Sequence, residues 1–368
     1  MKFKIKRSVL LSALSNVSRA VSQKVPLPSL TGIKFDLTED SLTLTGSDSD
    51  ITIQTTITDH LEVIDPGAVV LSSKYILEII RKMDSDEVNI SIVDGTLTRI
   101  QGGSAKFSLN GSPAGDYPRV DLTKKGVHVI IKSFVLRNII EKTVFATSDK
   151  ETRPVLTGVN FKAAGTHLTA LATDSYRVAE NVVELGEEQS FNIVVPKKSL
   201  QEISRIIEKD ALIDVYVEDH KILFVIDNYV ILSRLIDGTF PDTTKLLATS
   251  YDYALEVDAN VLLSAVDRAA LLSEGENNIV TLNMEPDQVK LTSQQQEIGS
   301  VEEHLDNAVY QGDPLEISFS ARYLADAIRS INTSTIRMQF KGVMKPIVIT
   351  DVEKDDNIQV ILPVRTYY

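Results

Sequence analysis

Apolar and polar positions alternate in this chain in a pattern that comes round three times. In each round a short apolar strand runs through Ser, Pro or Ala into an amphipathic helix opened by a basic residue. The three stretches are Val69-Val70-Leu71-Ser72-Ser73-Lys74, Val194-Val195-Pro196-Lys197-Lys198 and Ile317-Ser318-Phe319-Ser320-Ala321-Arg322. Lys74, Lys198 and Arg322 stand 124 residues apart (198 minus 74, and 322 minus 198). Each is followed seven residues on, two helical turns, by an arginine: Arg81, Arg205 and Arg329. Both cations of a pair therefore share one helix face. Ile76, Ile79 and Ile80, like Leu200, Ile203, Ile206 and Ile207, point the other way, into a core.

A further helix is expected ahead of each of these, over about Ser8 to Val21, Ser133 to Thr147 and Ala259 to Leu272. Strand patterns fill the space between. Gly32-Ile33-Lys34-Phe35 with Leu42-Thr43-Leu44-Thr45 recurs 126 residues later (158 minus 32) as Gly158-Val159-Asn160-Phe161 with Leu168-Thr169-Ala170-Leu171. The third version, Val280 to Met284 and Val289 to Thr292, is more divergent. Hairpin turns are expected at Asp94-Gly95, Asp219-His220 and Lys341-Gly342. The fold class is thus α+β: three tandem copies of a unit with two helices and about eight strands, over residues 1–122, 123–248 and 249–368. The turn-rich stretches Asn110 to Pro118 and Asp237 to Asp242 lie at the joins.

Composition narrows the function. The 368 residues carry 38 Lys plus Arg against 51 Asp plus Glu, a net charge of −13, with 43% hydrophobic residues and no cysteine. Disulfides, thiolate zinc sites and cysteine nucleophiles are excluded. No apolar run approaches the ~18–20 residues of a membrane span. The basic start, Met1 to Arg7, leads into an apolar stretch broken by Ser12, Ser15 and Asn16, too short for a signal peptide, so a cytoplasmic protein is expected. Phosphate-loop, nucleophile-elbow and metal-spaced histidine motifs are missing, and no cofactor or metal is expected. Asp48-Ser49-Asp50 lacks calcium-loop spacing and reads as a turn. Asp174, near Arg177, sits 126 residues beyond Asp48 (174 minus 48), which makes it a turn residue rather than an acid–base group. A non-catalytic protein is expected. Its acidic surplus is global, yet the helix faces keep their cations, with Arg137, Lys142 and Arg268 added from the first helix of the second and third copies. That segregation suits a polyanion met through its phosphates, without sequence readout. Stacking platforms for single strands are lacking, with no Trp and 6% aromatics, so duplex DNA fits better. The rival readings are a three-domain hydrolase with an unrecognised site and a protein-interaction scaffold that does not touch DNA.

Four motifs carry a resemblance over essentially the whole chain: Arg153-Pro154-Val155-Leu156-Thr157-Gly158-Val159, Ala172 through Ala179, Asp237-Gly238-Thr239-Phe240-Pro241-Asp242, and Val360-Ile361-Leu362-Pro363-Val364-Arg365. In this order and spacing the chain resembles the bacterial DNA sliding clamps, the beta subunits of DNA polymerase III. The resemblance implies a head-to-tail homodimer closed into a ring, helices lining the hole and sheets outside. Lys74, Arg81, Lys198, Arg205, Arg322 and Arg329 would then border the channel, and Lys24 and Arg153 resemble DNA-touching loop cations. It further implies a groove for short linear motifs from the replicative polymerase, the clamp-loader ATPase, other polymerases and repair proteins. Matching groove positions are Leu156, Thr173, Ser175, Tyr176, Arg177, Val178, Pro241, Lys245, Leu246, Ser320, Tyr323, Met344, Pro346, Val360, Leu362, Pro363, Val364 and Arg365. Ser175-Tyr176 stands where many members have Gly-His, and Asn277-Asn278 replaces an aromatic near the groove rim. Phe107 and Leu109 match an edge strand that packs on the neighbour's Leu271 and Leu272 positions, with Glu297, Glu302 and Glu303 pairing across the seam.

Overall fold

The structure, a computed structural model, describes residues 1–246, 250–273, 278–295 and 297–365. Leu247 to Thr249 at the second join, Asn277, Thr366 to Tyr368 and the side chain of Lys245 lie outside the described residues. Six α-helices occur among the described residues: α1 (Arg7–Val17), α2 (Ser73–Lys82), α3 (Ser133–Thr143), α4 (Lys197–Ile206), α5 (Ala259–Ala269) and α6 (Ala321–Ile331). The first helix of each copy is three to four residues shorter than expected. Its last turn tightens into a 3-10 turn, at Ser18–Ala20, Val144–Ala146 and Ala270–Leu272. Bonds from i to i+3 there engage carbonyls that an α-helix end would leave open.

The second helices follow their strands without a loop, as the pattern requires. Ile76, Ile80, Leu200 and Ile203 are fully buried, while Ile79 is only half-buried. Burying one such side chain contributes ~1.5–3 kcal/mol, against ~0.2–1 kcal/mol for an exposed ion pair. The apolar stripe therefore anchors α2 and α4, and their exposed cations are dispensable for folding.

The described chain forms two compact units. The first comprises Met1–Phe134 with Lys198–Leu235, the second Val135–Lys197 with Ile236–Tyr368. The middle copy is shared between them. In the first unit an eight-stranded antiparallel sheet runs in the order 127–132, 212–217, 221–226, 229–234, 51–57, 42–47, 32–37, 67–72. A five-stranded sheet runs 61–65, 2–6, 87–94, 97–102, 105–110. The second unit has a seven-stranded sheet, 158–173, 177–196, 357–361, 347–351, 335–340, 253–258, 309–311, and a four-stranded one, 299–304, 288–295, 279–285, 315–320. Its core is built on Leu262, Leu282, Phe319, Leu324, Ile336 and Phe340.

The middle copy departs from the expected eight strands. Where the first copy turns through Thr38 to Ser41, closed by Thr38 N donating to Ser41 O at 2.9 Å, the second stays extended over Gly158–Thr173. That stretch pairs along Arg177–Pro196 in one ladder whose register shifts between Gly165 and His167. Gly165, at φ +64°, absorbs the irregularity without ending the pairing. The expected hairpins at Asp94-Gly95, Asp219-His220 and Lys341-Gly342 are present, each between paired strands.

Candidate functional site

Lys74, Arg81, Lys198, Arg205, Arg322 and Arg329 are all exposed on their helices. The face is not bare, as its sequence suggested. A carboxylate stands four residues after the first cation in every copy: Glu78, Glu202 and Asp326, again 124 apart (202 minus 78, and 326 minus 202). Glu78 pairs with Arg81, Glu202 with Arg205 at 2.6 Å and with Arg19 at 3.3 Å, and Asp326 with Arg329 at 4.0 Å. Lys198 pairs with Asp48, and Arg329 also reaches Asp267 at 3.3 Å. Arg268 grips Glu303 through two bonds of 2.7 and 2.8 Å. Lys74 lies 5.6 Å from the centre of the Tyr75 ring. Lys24, Lys142, Arg153 and Arg322 form no ion pair among the described residues, and Arg137 is half-buried. The neutralising acids shared the spacing of the cations and were legible in the sequence; reading the cations alone missed them.

The second candidate site grows from the ends of three neighbouring strands. Arg177–Pro196, Asn357–Ile361 and Ile347–Asp351 lie side by side, with Val178 opposite Val360 and Val360 opposite Val348. These three valines and Leu171 form a buried apolar cluster, against which Phe240, Leu246, Tyr251 and Ile358 pack half-buried. The strand ends put Tyr176, Leu362 and Pro346 at one end of the sheet. Leu362 N donates to Tyr176 O at 2.9 Å, and Val364 N to Ser318 O at 2.8 Å, so the chain after Ile361 is held against the strand Leu315–Ser320. Tyr176 is 58% exposed and Met344 46%. Pro241, Leu246, Tyr323, Pro346, Leu362, Pro363 and Val364 are half-buried, and Ser175 and Arg365 exposed. Leu156, Val178, Ser320 and Val360 are buried. The result is a buried apolar floor with an accessible apolar rim, the composition that anchors hydrophobic side chains of a peptide.

Two of the matching groove positions, Arg177 and Thr173, are buried in the chain. Arg177 is 5% exposed. Its Nε donates to Asp174 at 3.0 Å and its two terminal nitrogens to Asp326 at 2.7 Å and to the Phe145 carbonyl at 2.6 Å. The guanidinium also lies over the rings of Tyr323, at 4.5 Å, and Phe145, at 5.3 Å. Two carboxylates and two rings compensate its desolvation, so it organises the site from beneath. Thr173 Oγ1 donates to Arg177 O at 2.6 Å and accepts from Ser175 N at 3.1 Å. Asp174 Oδ1 accepts from the amides of Tyr176 and Arg177, which holds Ser175 at φ +80°. Asp48 Oδ1 accepts from Asp50 and Ile51 in the same way, with Ser49 at φ +85°. Both aspartates are turn residues, as their spacing implied.

The strands Ala105–Asn110 and Gly299–His304 are each the last of their sheet. Phe107 is 39% exposed on the first, with Leu109 half-buried, and Leu271 is 78% exposed beside half-buried Leu272. Glu297 is exposed. Glu302 is bonded to Lys290 at 3.0 Å, and Glu303 is the partner of Arg268, so neither is idle within the chain. Hydrogen bonding from Arg268 holds the Glu303 carboxyl below the usual carboxylate range, as Lys290 does that of Glu302.

The chain matches the models of the DNA polymerase III beta subunit along its length: the N-terminal domain over residues 1–121, the central domain over 130–242 and the C-terminal domain over 244–365. It is 38% identical to the beta sliding clamp of Bacillus subtilis and 37% to that of Staphylococcus epidermidis, covering 100% of each chain. The crystal structure of the DNA polymerase sliding clamp from Bacillus subtilis superposes with a TM-score of 0.96 over 100% of both chains. The beta subunit of Streptococcus pyogenes, 31% identical, gives 0.95 over 100% of both chains. A Pseudomonas aeruginosa sliding clamp bound to griselimycin, 26% identical, gives 0.94 with the same coverage. With three family domains matched in order and the fold shared from end to end, this chain belongs to the DNA polymerase III beta subunit family, the beta sliding clamps.

Proposed function

We propose that two copies of this chain join head to tail into a ring that encircles duplex DNA, slides without reading sequence, and tethers the replicative polymerase for processive synthesis. The observation that carries this reading is the triplicate helix face, with two exposed cations and an interposed carboxylate in each copy. Phosphates can exchange with surface ion pairs worth ~0.2–1 kcal/mol, which gives the shallow contacts that sliding needs. Retention then comes from topology. The edge strands Ala105–Asn110 of one copy and Gly299–His304 of the next would continue one sheet across each seam, with Phe107 and Leu109 on Leu271 and Leu272, hiding two open edges. The repeat joins, at 122/123 and 248/249, mark the domains. The protein is a non-catalytic, cytoplasmic processivity factor, and the apolar end of the seven-stranded sheet receives linear motifs of polymerases, the clamp-loader ATPase and repair proteins. Among the described residues no helix is long and apolar enough to cross a membrane.

The test is loading onto a nicked circular plasmid by a clamp-loader ATPase, followed by linearisation. Release from the new ends is expected. Persistence on linear DNA at the same salt would refute encirclement.

A further inference from the structure

The first unit contains a cavity of about 820 Å³, within the range of ligand pockets, where the first copy's strand Ile51–Ile57 pairs with the middle copy's Tyr229–Arg234. Its lining is the repeat counterpart of the apolar site in the second unit. Leu30, Ser47 and Thr52 line it, 126 residues before Leu156, Thr173 and Val178 (156 minus 30, 173 minus 47, 178 minus 52). Strand register confirms the match independently of counting. Thr52 lies opposite Leu232 as Val178 lies opposite Val360. Arg234 N donates to Asp50 O at 2.8 Å, just as Leu362 N donates to Tyr176 O at 2.9 Å. Pro118, in Gly115-Asp116-Tyr117-Pro118, takes the place of Pro241 in Gly238-Thr239-Phe240-Pro241.

The backbone frame is the same and the walls differ in charge. By this register Arg234 stands where the second site has Leu362, and Lys221, opposite Arg234, where it has Pro346. Arg119 and Lys125 complete the rim. Lys221 is held by Asp121 at 3.1 Å and Glu218 at 3.4 Å. Arg119, Lys125 and Arg234 are exposed and form no ion pair among the described residues.

We propose that this cavity is a second peptide-docking site of the clamp, taking a short extended segment whose carboxylates replace the apolar anchors proposed for the first site. Arg119 and Arg234 present planar forks suited to carboxylates, and Lys125 a third positive charge. Asp121 and Glu218 are held by Lys221, and Asp219 also lines the cavity, so its positive charge sits at separate points, which suit a few discrete carboxylates better than a continuous phosphate backbone. The site rests on the peptide reading of the apolar junction through the repeat correspondence, but it uses other residues, so its failure would leave that reading and ring closure standing.

The test uses the full-length protein carrying Met344→Glu, which disables the apolar site, and a fluorescein-labelled acidic pentapeptide, Asp-Leu-Asp-Glu-Leu, followed by anisotropy. Saturable binding is expected, weakened at least about tenfold by Arg119→Glu with Arg234→Glu. The absence of saturable binding to this variant overturns the proposal, and binding seen with the unaltered protein but lost in Met344→Glu assigns the peptide to the apolar site and overturns it too. Displacement by a short DNA duplex at equal charge assigns the cavity to nucleic acid and also overturns it. Because the chain has no cysteine, Ser49→Cys gives a unique thiol at the cavity wall, which serves as a second measurement independent of charge reversal. Its alkylation with a bulky maleimide should block the acidic peptide, and unaltered affinity after full alkylation refutes the site.

Discussion

The two strand junctions, Ile51–Ile57 with Tyr229–Arg234 and Arg177–Pro196 with Asn357–Ile361, share a main chain and differ in what they bury. Both begin at an aspartate that closes a turn over a serine of positive φ, and both continue in the same register. At the first the residue three after the aspartate is Ile51, 1% exposed; at the second it is Arg177, 5% exposed. The first is a plain apolar contact under a charged cavity. The second is a buried ionic node under an apolar surface. Repetition has kept the hydrogen-bonded frame, which any side chain can decorate, and has varied the contacts that decide what each junction can hold.

The comparison is broken most severely by carrying the first junction's residue into the second. Arg177→Ile should cost about 3–5 kcal/mol, because Asp174 loses its ion-pair partner and Asp326 keeps only Arg329, at 4.0 Å. Adding Asp174→Asn and Asp326→Asn should restore most of that. Urea unfolding at pH 7 measures both, and a single substitution that proves neutral would show the node contributes nothing. Next, Met344→Glu should weaken a short linear-motif peptide of the replicative polymerase at least tenfold, about 1.4 kcal/mol, with folding stability within ~0.5 kcal/mol. Titration calorimetry decides; unaltered affinity would remove the apolar site from the binding surface.

Smaller effects sharpen the contrast. Asp48→Ala should cost about 1 kcal/mol through its turn, its pair with the exposed Lys198 adding little, and Asp174→Ala clearly more, because the partner it takes from Arg177 is a buried one. Equal values would mean the two turns are equivalent. On the helix faces, Glu202→Gln should free Arg205 and Arg19 and raise the affinity of the loaded or free protein for duplex a few-fold. The salt dependence of log K should steepen by about 1–2 units. An unchanged slope would place that face away from DNA. The smallest effect is on pH dependence. The Glu303 carboxyl lies below its ordinary value of 4.5 because Arg268 hydrogen-bonds it, so its contribution is complete above about pH 4.5 and is lost as pH falls through the lowered folded value. Glu303→Gln should therefore shallow the loss of stability between pH 5 and pH 3, read from urea midpoints at each pH.

Much of this was legible in the residues alone. Helix positions, hairpin turns and the turn role of Asp48 and Asp174 followed from periodicity and repeat spacing, because neighbours within a few residues decide them. The interposed acids Glu78, Glu202 and Asp326 were equally legible once the repeat spacing was applied to carboxylates. Other features depended on pairing across long separations. Arg177 meets Asp326 from another copy, 149 residues away, so its burial could not be read from its own surroundings. The charged cavity likewise appears only when Leu232 is known to face Thr52.

What the amino-acid order determined by itself is the triplicate α+β unit, with its apolar stripes and its helix cations at a constant interval. Local hydrogen bonding and helical or strand periodicity suffice for these. The tertiary structure decided which charges are spent on each other, which turn sites carry an apolar floor, and which junction exposes Met344 and Tyr176 rather than Arg119 and Arg234. Burial and ion pairing depend on which strands meet in space, and that meeting is settled by packing between segments far apart in the chain.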